Sequence, residues 1–573
     1  MKTRVYFLDH LRTLMIFFVV MVHAGLVYEP VLEGIWIVID QDQASTIGLV
    51  RMYLDLFVMF IIFFISGYFA PGSVSRQSAW SFIRSKFKRI ILPWIIAVLT
   101  LIPAYKAVFL YSRGLPQEVW YSYFHFYARA GSDLWFFANN PTQSWLWFLP
   151  ILFVFQLVYL TIEKSRLSSF KVSLWTGVSL TLVIGVIYSM LISVAGLVGW
   201  FHSAIFDLQT ERLLVYFMSF LLGSLCFKLN VFNSDSKNTV YYIIANITLT
   251  IGLGIFTVVA LNLFYNMVDP GRNYFFISDF ADRLIYYITA ILSMFSFLYV
   301  FLHVFRIHFN KTNVLLNLLN KASYSVYIIH LVVLGVIALA MKDLALHGFL
   351  KFILLTIFTF AVSNALVIAY QSWFKDKIVL KLATFSCMLI ALFLFIQFGN
   401  KMQPPSDRMG QDSSTLPEIG LHEAVIRGDL QVVRQHAEMG TNLDEKEEIG
   451  GSTALISAAF FGKKDIAMIL IESGADLNLQ NNEGSTALHT AAFLGRIEIV
   501  ELLLQHGADR SITNNAGVTP LQSVSGSMES VMPIYEYLGS TFAPLGLVID
   551  YGQLANARPV IVEMLNGLKS SGG

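Results

Sequence analysis

The sequence predicts an all-α protein: a polytopic transmembrane bundle of about eleven helices, followed by a C-terminal α-solenoid of short helical repeats. Three observations carry this. Hydrophobic residues fill 56% of the 573 positions and charged residues 13%, with 48 Phe, which rules out a wholly soluble chain. Apolar windows of about 20 residues, the length that crosses a bilayer core of roughly 30 Å, recur from the N-terminus to about residue 400. Beyond that point the charge balance reverses. Of the 39 Lys and Arg and the 38 Asp and Glu, 11 and 21 lie from Lys401 onward, so a near-neutral total hides a membrane part at about +11 and a tail at about −10. An acidic tail argues against nucleic acid or anionic lipid as its partner.

The eleven windows fall near residues 13–32, 49–70, 90–110, 144–163, 173–197, 212–229, 240–264, 284–304, 323–341, 349–370 and 379–398. The first run is long for a secretory signal and no small-x-small cleavage site follows it, so it reads as a retained helix. Loop charges alternate. Arg4, Arg12, Arg76, Arg84, Lys86, Lys88, Arg89, Lys164, Arg166, Lys171, Lys375 and Lys377 gather on one side, and Glu29, Glu33, Asp40, Asp42, Asp207, Asp269 and Asp279 on the other. The positive-inside rule then places the N-terminus in the cytoplasm and, with an odd number of spans, the tail on the far side. Cys226 and Cys387 both lie within apolar runs and build neither a disulfide framework nor a zinc site.

The membrane part, 1–400, passes through a polar linker at 401–416 into a domain at 417–573 with a repeat of 33 residues: Ser452-Thr-Ala-Leu-Ile-Ser-Ala-Ala, Ser485-Thr-Ala-Leu-His-Thr-Ala-Ala and Val518-Thr-Pro-Leu-Gln. This is the ankyrin period. The intervening apolar helices end on Gly474 and Gly507, a weaker unit opens at Leu421-His-Glu-Ala-Val, and the divergent segment from Gln522 either caps the stack or folds separately. Such stacks bind other proteins, and nothing in the tail points to catalysis.

Polar groups within membrane spans are the candidates for chemistry. Arg12 sits at the mouth of the first helix and His23 eleven residues deeper, about 16 Å along a helix and near mid-membrane. A neutral imidazole there can take the proton of an attacking hydroxyl, and an arginine at the cytoplasmic mouth suits the phosphates of a cofactor. The alternative for His23 is a histidine hydrogen-bonded within the bundle. His330 either pairs with the site or faces a neighbouring helix. Between Tyr111 and Trp145, the aromatics Trp120, Tyr121, Tyr123, Phe124, Tyr127, Trp135 and Phe136 either stack on sugar rings or form an interfacial belt, with His125, Asp133 and Asn139 as hydroxyl partners in the first case.

Asp9-His10-Leu-Arg12, then ten residues and His23, resembles the opening of the membrane-bound acyltransferases called acyltransferase family 3. Further blocks arrive in the family's order: Phe63-Phe-Ile-Ser66-Gly67, Lys86-Phe-Lys88-Arg89-Ile-Ile-Leu-Pro93, Trp145-Leu-Trp147-Phe148-Leu149 and Ser323-Tyr324-Ser-Val-Tyr327-Ile-Ile-His330. Within the family the match is closest to the glucan biosynthesis protein C branch. The resemblance implies that His23 is the catalytic histidine, that Arg12 is its partner on the acyl-CoA side, and that Arg89 with Lys86 contacts the same cofactor. Lys86 stands where an arginine is expected, which keeps the charge and loses bidentate phosphate geometry. It also implies substrate contacts from Trp145, Trp147, Ser323 and His330, an acetyl-CoA or succinyl-CoA donor, a carbohydrate acceptor and a bacterial inner membrane. A ten-helix core would end in the cytoplasm, so the span at 379–398 is expected to carry the repeats into the periplasm.

Three functions follow from these readings. The first is an O-acyltransferase that requires no metal. The second is a transporter of a modified solute, which predicts symmetry between bundle halves that the sequence does not display. The third is a membrane-anchored ankyrin scaffold without chemistry, which leaves Arg12, His23 and His330 unexplained.

Overall fold

The computed structural model describes residues 5–373 and 420–567, apart from the loop segments 30–35, 125–143, 166–169, 234–238 and 543–546 and a few isolated loop positions. The chain divides into two compact units, Met1–Pro405 and Ser406–Gly573.

The first unit is built from α1 (Tyr6–Gly25), α2 (Thr46–Val74), α3 (Ala79–Lys86), α4 (Leu92–Ser112), α5 (Phe148–Lys164), α6 (Leu174–Val194), α7 (Leu213–Lys228), α8 (Thr239–Tyr265), α9 (Asp279–His308), α10 (Val314–Met341) and α11 (Gly348–Trp373). A π-helical turn at Phe87–Ile91 joins α3 to α4, where Pro93 has no N–H to continue the ladder, and the two make one span. Among the described residues ten helices are thus long and apolar enough to cross a membrane. They coincide with the first ten windows of the sequence. The eleventh, 379–398, lies outside the described residues, and the side on which the tail emerges goes with it.

Helix α1 starts seven residues before its apolar window and ends at Gly25. Hydropathy misses its first turns because Asp9, His10, Arg12 and Thr13 are polar, yet Asp9, His10 and Thr13 are buried there. Asn320, across the bundle, meets the cost of His10 and Thr13, and Asp9 pairs with Arg12. Thr13 Oγ1 donates to Asn320 Oδ1 at 2.7 Å, Asn320 Nδ2 donates to His10 Nδ1 at 2.9 Å, and His10 Nε2 donates to the Lys311 carbonyl at 3.1 Å. Helix α1 packs against α2, α9, α10 and α11, which makes it central.

The closest crossing is α2 on α7, and glycine makes it possible. A Cβ on Gly67 would lie 1.8 Å from the carbonyl oxygen of Phe220, and one on Gly223 2.0 Å from that of Phe64. Ser219 Oγ donates to the Phe60 carbonyl at 2.7 Å between them, the small-residue packing that replaces hydrophobic drive in lipid. Phe57 and Phe297 stack at 4.1 Å in the adjoining core. A short antiparallel hairpin, β1 (Trp200–His202) with β2 (Asp207–Gln209), links α6 to α7.

The second unit stacks helix pairs. Thr453, Thr486 and Thr519, the threonines of the repeated motif, are the N-caps of Ala454–Phe461, Ala487–Phe493 and Pro520–Ser525. In the last two, His489 and Gln522 return a bond to the cap residue and complete capping boxes. Gly474 and Gly507 adopt φ of 89° and 85°, the left-handed conformation that ends a helix. The divergent segment caps the stack: Ala557, Ile561 and Leu565 join the repeats' core, and Tyr535 Oη donates to the Phe493 carbonyl at 2.6 Å.

Candidate active site

The end of α1 is held by a folded-back segment. Val27 and Tyr28 continue as a turn, Asp40 N–H bonds the Val27 carbonyl at 3.0 Å, and Ala44 N–H bonds that of Tyr28 at 2.9 Å. Three helices clamp the returning strand of chain. Arg113 and Ser112 at the end of α4 donate to the carbonyls of Trp36 and Ile37 at 2.8 and 3.0 Å. Lys351 of α11, 0% exposed, donates to Asp40 at 3.0 Å and to Asp42 at 2.6 Å. Gly335 of α10 leaves the space that Ile37 fills, since a Cβ there would lie 2.4 Å from Ile37 Cδ1.

This clamp lays the Trp36 ring over His23, with ring centres 5.7 Å apart and planes 15° from parallel. His23 also meets His330, with Nδ1 of the first 2.9 Å from Nε2 of the second. His330 is fully buried, and its Nδ1 donates to the Tyr327 carbonyl at 2.7 Å. Aromatic contacts extend the site from Trp36 to Tyr105 and from Tyr105 to Trp145. Trp145 Nε1 donates to the Ile328 carbonyl at 2.9 Å, and the Tyr327 hydroxyl donates to the Trp145 carbonyl. His23 lies in the last turn of α1, at the end away from Arg12 rather than near the middle of the span as its distance from Arg12 suggested, because the helix starts at Tyr6; His330 lies well inside α10.

Near the end of α1, Arg51 grips Glu29 through two bonds, of 2.5 and 2.9 Å. Thus Glu29, Asp40 and Asp42, which as a sequence read as loop charges marking one side of the membrane, are buried or clamped partners of Arg51 and Lys351.

Arg12 forms a second cluster. Its Nη2 lies 3.2 Å from Asp9 Oδ1 and donates to the Asn320 carbonyl at 3.2 Å, with a third of its side chain exposed. Ser323 belongs here, donating to the Asn320 carbonyl at 3.0 Å, two turns from His330. By the alternation of the helices, Lys86 and Arg89 lie at the same end as Arg12. Lys86 places its ammonium 5.1 Å from the centre of the Phe82 ring, and Arg89 is exposed on the π-helical turn. Trp147 packs on Trp200 and Tyr216, a different set from Trp145. Of the aromatic loop, Trp120, Tyr121, Tyr123 and Phe124 are described, and Trp120 is about half-exposed beside Phe124. His125, Tyr127, Asp133, Trp135, Phe136 and Asn139 lie outside the described residues.

A sequence profile for an acyltransferase domain, that of acyltransferase family 3, matches residues 5–368, more than half of the chain. The chain belongs to this acyltransferase family. The match takes in both clusters and the described helices of the bundle up to residue 368, within α11; it identifies the family and not a branch within it. Acyltransferase membership and ten apolar helices together make this an integral membrane transferase. The second unit matches ankyrin repeats, in three copies, over residues 421–514. Over 70 residues the chain is 35% identical to the human (Homo sapiens) DNA-binding protein RFXANK, a stretch covering 12% of this chain and 27% of that protein. The acyltransferase thus spans about a quarter of that relative's length.

Sequence reasoning reached Arg12, His23 and His330 and missed Trp36, Tyr105, Arg51 and Asn320. Arg51 and Asn320 carry a readable signal, being polar residues at the edges of apolar windows. Trp36 carries none, because it sits in a loop whose fold depends on Lys351, more than three hundred residues away.

Proposed function

We propose that this acyltransferase takes an acyl group, acetyl or succinyl, from acyl-CoA and places it on a carbohydrate hydroxyl, with His23 as the general base. The observation that carries the reading is the His23 ring, stacked on Trp36 and bonded through Nδ1 to His330, which leaves Nε2 as the nitrogen to act as base. In this scheme Nε2 takes the proton of the acceptor hydroxyl as its oxygen attacks the thioester carbonyl. The tetrahedral intermediate then expels the coenzyme A thiolate, which receives the proton back. A positioned base of this kind contributes about 10²–10⁴-fold.

Arg12, with Lys86 and Arg89, is assigned to the phosphates of the donor. Eleven residues of helix separate Arg12 from His23, about 16 Å, a gap suited to a donor whose charged end and reactive thioester are joined by a long flexible arm. Trp145, Trp147 and Ser323 are the proposed substrate contacts, and His330, expected from the sequence as another, is bonded to His23; Ser323 lies with Arg12, and Trp147 packs on a different set from Trp145. Positive-inside logic supports a cytoplasmic N-terminus and, with 379–398 counted as an eleventh span, a periplasmic ankyrin unit; the family resemblance points to a bacterial inner membrane and the ankyrin repeats to a protein partner. The test is acyl transfer from labelled acetyl-CoA and succinyl-CoA in native membranes. His23→Ala at normal abundance should abolish it, and undiminished transfer would remove His23 as the base.

A further inference from the structure

We infer that His330 is a positioning residue that holds His23 in the one neutral tautomer able to act as base. The inference rests on His23 being that base.

The Tyr327 oxygen is a backbone carbonyl and only accepts, so the hydrogen between it and His330 belongs to Nδ1. A neutral imidazole carries a single N–H, which leaves His330 Nε2 as an acceptor. The hydrogen between the two rings therefore belongs to His23 Nδ1. A neutral His23 so protonated has its lone pair on Nε2, facing away from His330. Neither ring forms an ion pair with a carboxylate among the described residues, in keeping with both being neutral.

The anchor is rigid. Tyr327 and His330 lie one turn apart on α10, so the bond that fixes the His330 tautomer belongs to the helix itself. When His23 accepts a proton on Nε2, its Nδ1–H becomes a charged donor to His330, and the contact strengthens without His330 ionising. In hydrolytic triads a carboxylate orients the histidine this way. A carboxylate fully buried among membrane helices would carry a large desolvation cost, whereas an imidazole tied to a carbonyl performs the orientation with no net charge.

Two substitutions separate this role from packing. His330→Gln can place an amide oxygen where Nε2 stands and still accept from His23. His330→Asn can place an amide nitrogen where Nδ1 stands, keeping the Tyr327 bond and losing His23. Nitrogen-15 imidazole spectra of the full chain in nanodiscs, with His23→Ala to assign the signal, should show His23 protonated on Nδ1 in wild type and His330→Gln and mixed between nitrogens in His330→Asn. With acetyl-CoA and succinyl-CoA as probes in native membranes, kcat in His330→Asn should fall on the order of 10²–10⁴-fold with KM held, and His330→Gln should retain most of it. A wild-type His23 protonated on Nε2, or a tautomer untouched by His330→Asn, overturns the inference. Equal loss of transfer in both variants also overturns it. If His23→Ala still transfers, it is the base assignment that fails.

Discussion

Two tryptophans border the histidine pair, and they differ in how their N–H groups are used. Trp145 donates to the Ile328 carbonyl, which makes it a strut between the start of α5 and α10. Trp36 has a buried indole N–H with no hydrogen-bond partner among the described residues, and its ring face is spent on His23. An aromatic pair of this kind is worth about 0.5–1.5 kcal/mol beyond its buried area, which sets the size of the effect. Trp36→Ala should lower kcat up to about tenfold by freeing the His23 ring, and Trp36→Phe should keep most of the rate because it keeps a ring plane. Steady-state rates at matched abundance decide this, and an unchanged kcat in Trp36→Ala would take the ring out of the site. The spacing of Arg12 and His23 was legible because both lie on one helix, where eleven residues give a distance. The His23–His330 contact joins positions 307 residues apart, and no periodicity reports such a pairing.

At the scale of elements, the segment carrying Trp36 has no regular structure of its own and depends on its clamp. Lys351 is 0% exposed and Asp40 2%, while Asp42 is half in solvent. Removing Asp40 leaves Lys351 only the half-exposed Asp42 as its carboxylate, so the loss should fall below the about 3–5 kcal/mol of stranding a buried charge outright. Asp40→Ala should therefore lower the thermal transition of the bundle in detergent and reduce transfer with it. The double variant Asp40→Leu with Lys351→Met should recover much of the stability, because Asp42 can solvate once Lys351 is gone. A transition unmoved by Asp40→Ala would show that the clamp does not hold the segment. Element existence was legible throughout the bundle, since ten apolar windows became ten spans. Element ends were less so: α1 extends toward Tyr6 because Asn320 satisfies polar residues that a hydropathy window rejects. In the repeats the sequence carried more, because the threonine caps and terminal glycines are local devices whose partners lie within one turn.

For the whole molecule, a membrane acyltransferase carries an ankyrin-repeat unit whose stability is expected to respond to acid. Burial lowers the pKa of His489, against a smaller opposing effect from its bond to the Val518 carbonyl. The folded unit therefore prefers neutral imidazole: the stability this confers is complete above the unfolded value of about 6.5 and is lost as pH falls from there through the folded value. Protection from hydrogen exchange across residues 486–525 of the full chain, taken relative to the intrinsic amide rate at each pH, should fall between pH of about 7 and about 5. His489→Gln, which copies Gln522 of the next repeat and keeps a capping box, should remove that dependence; protection independent of pH in the wild type would contradict the assignment. The side of the membrane on which this module works depends on the window at 379–398, and a tag beyond it, cut by protease in intact spheroplasts, would place it in the periplasm. The central claim, that His23 is the base of an acyl transfer, is tested most directly by incubating membranes with labelled acetyl-CoA or succinyl-CoA and comparing wild type with His23→Ala at equal abundance. Label passing to carbohydrate in the wild type and not in the variant is the expected result, and equal labelling in both would contradict it.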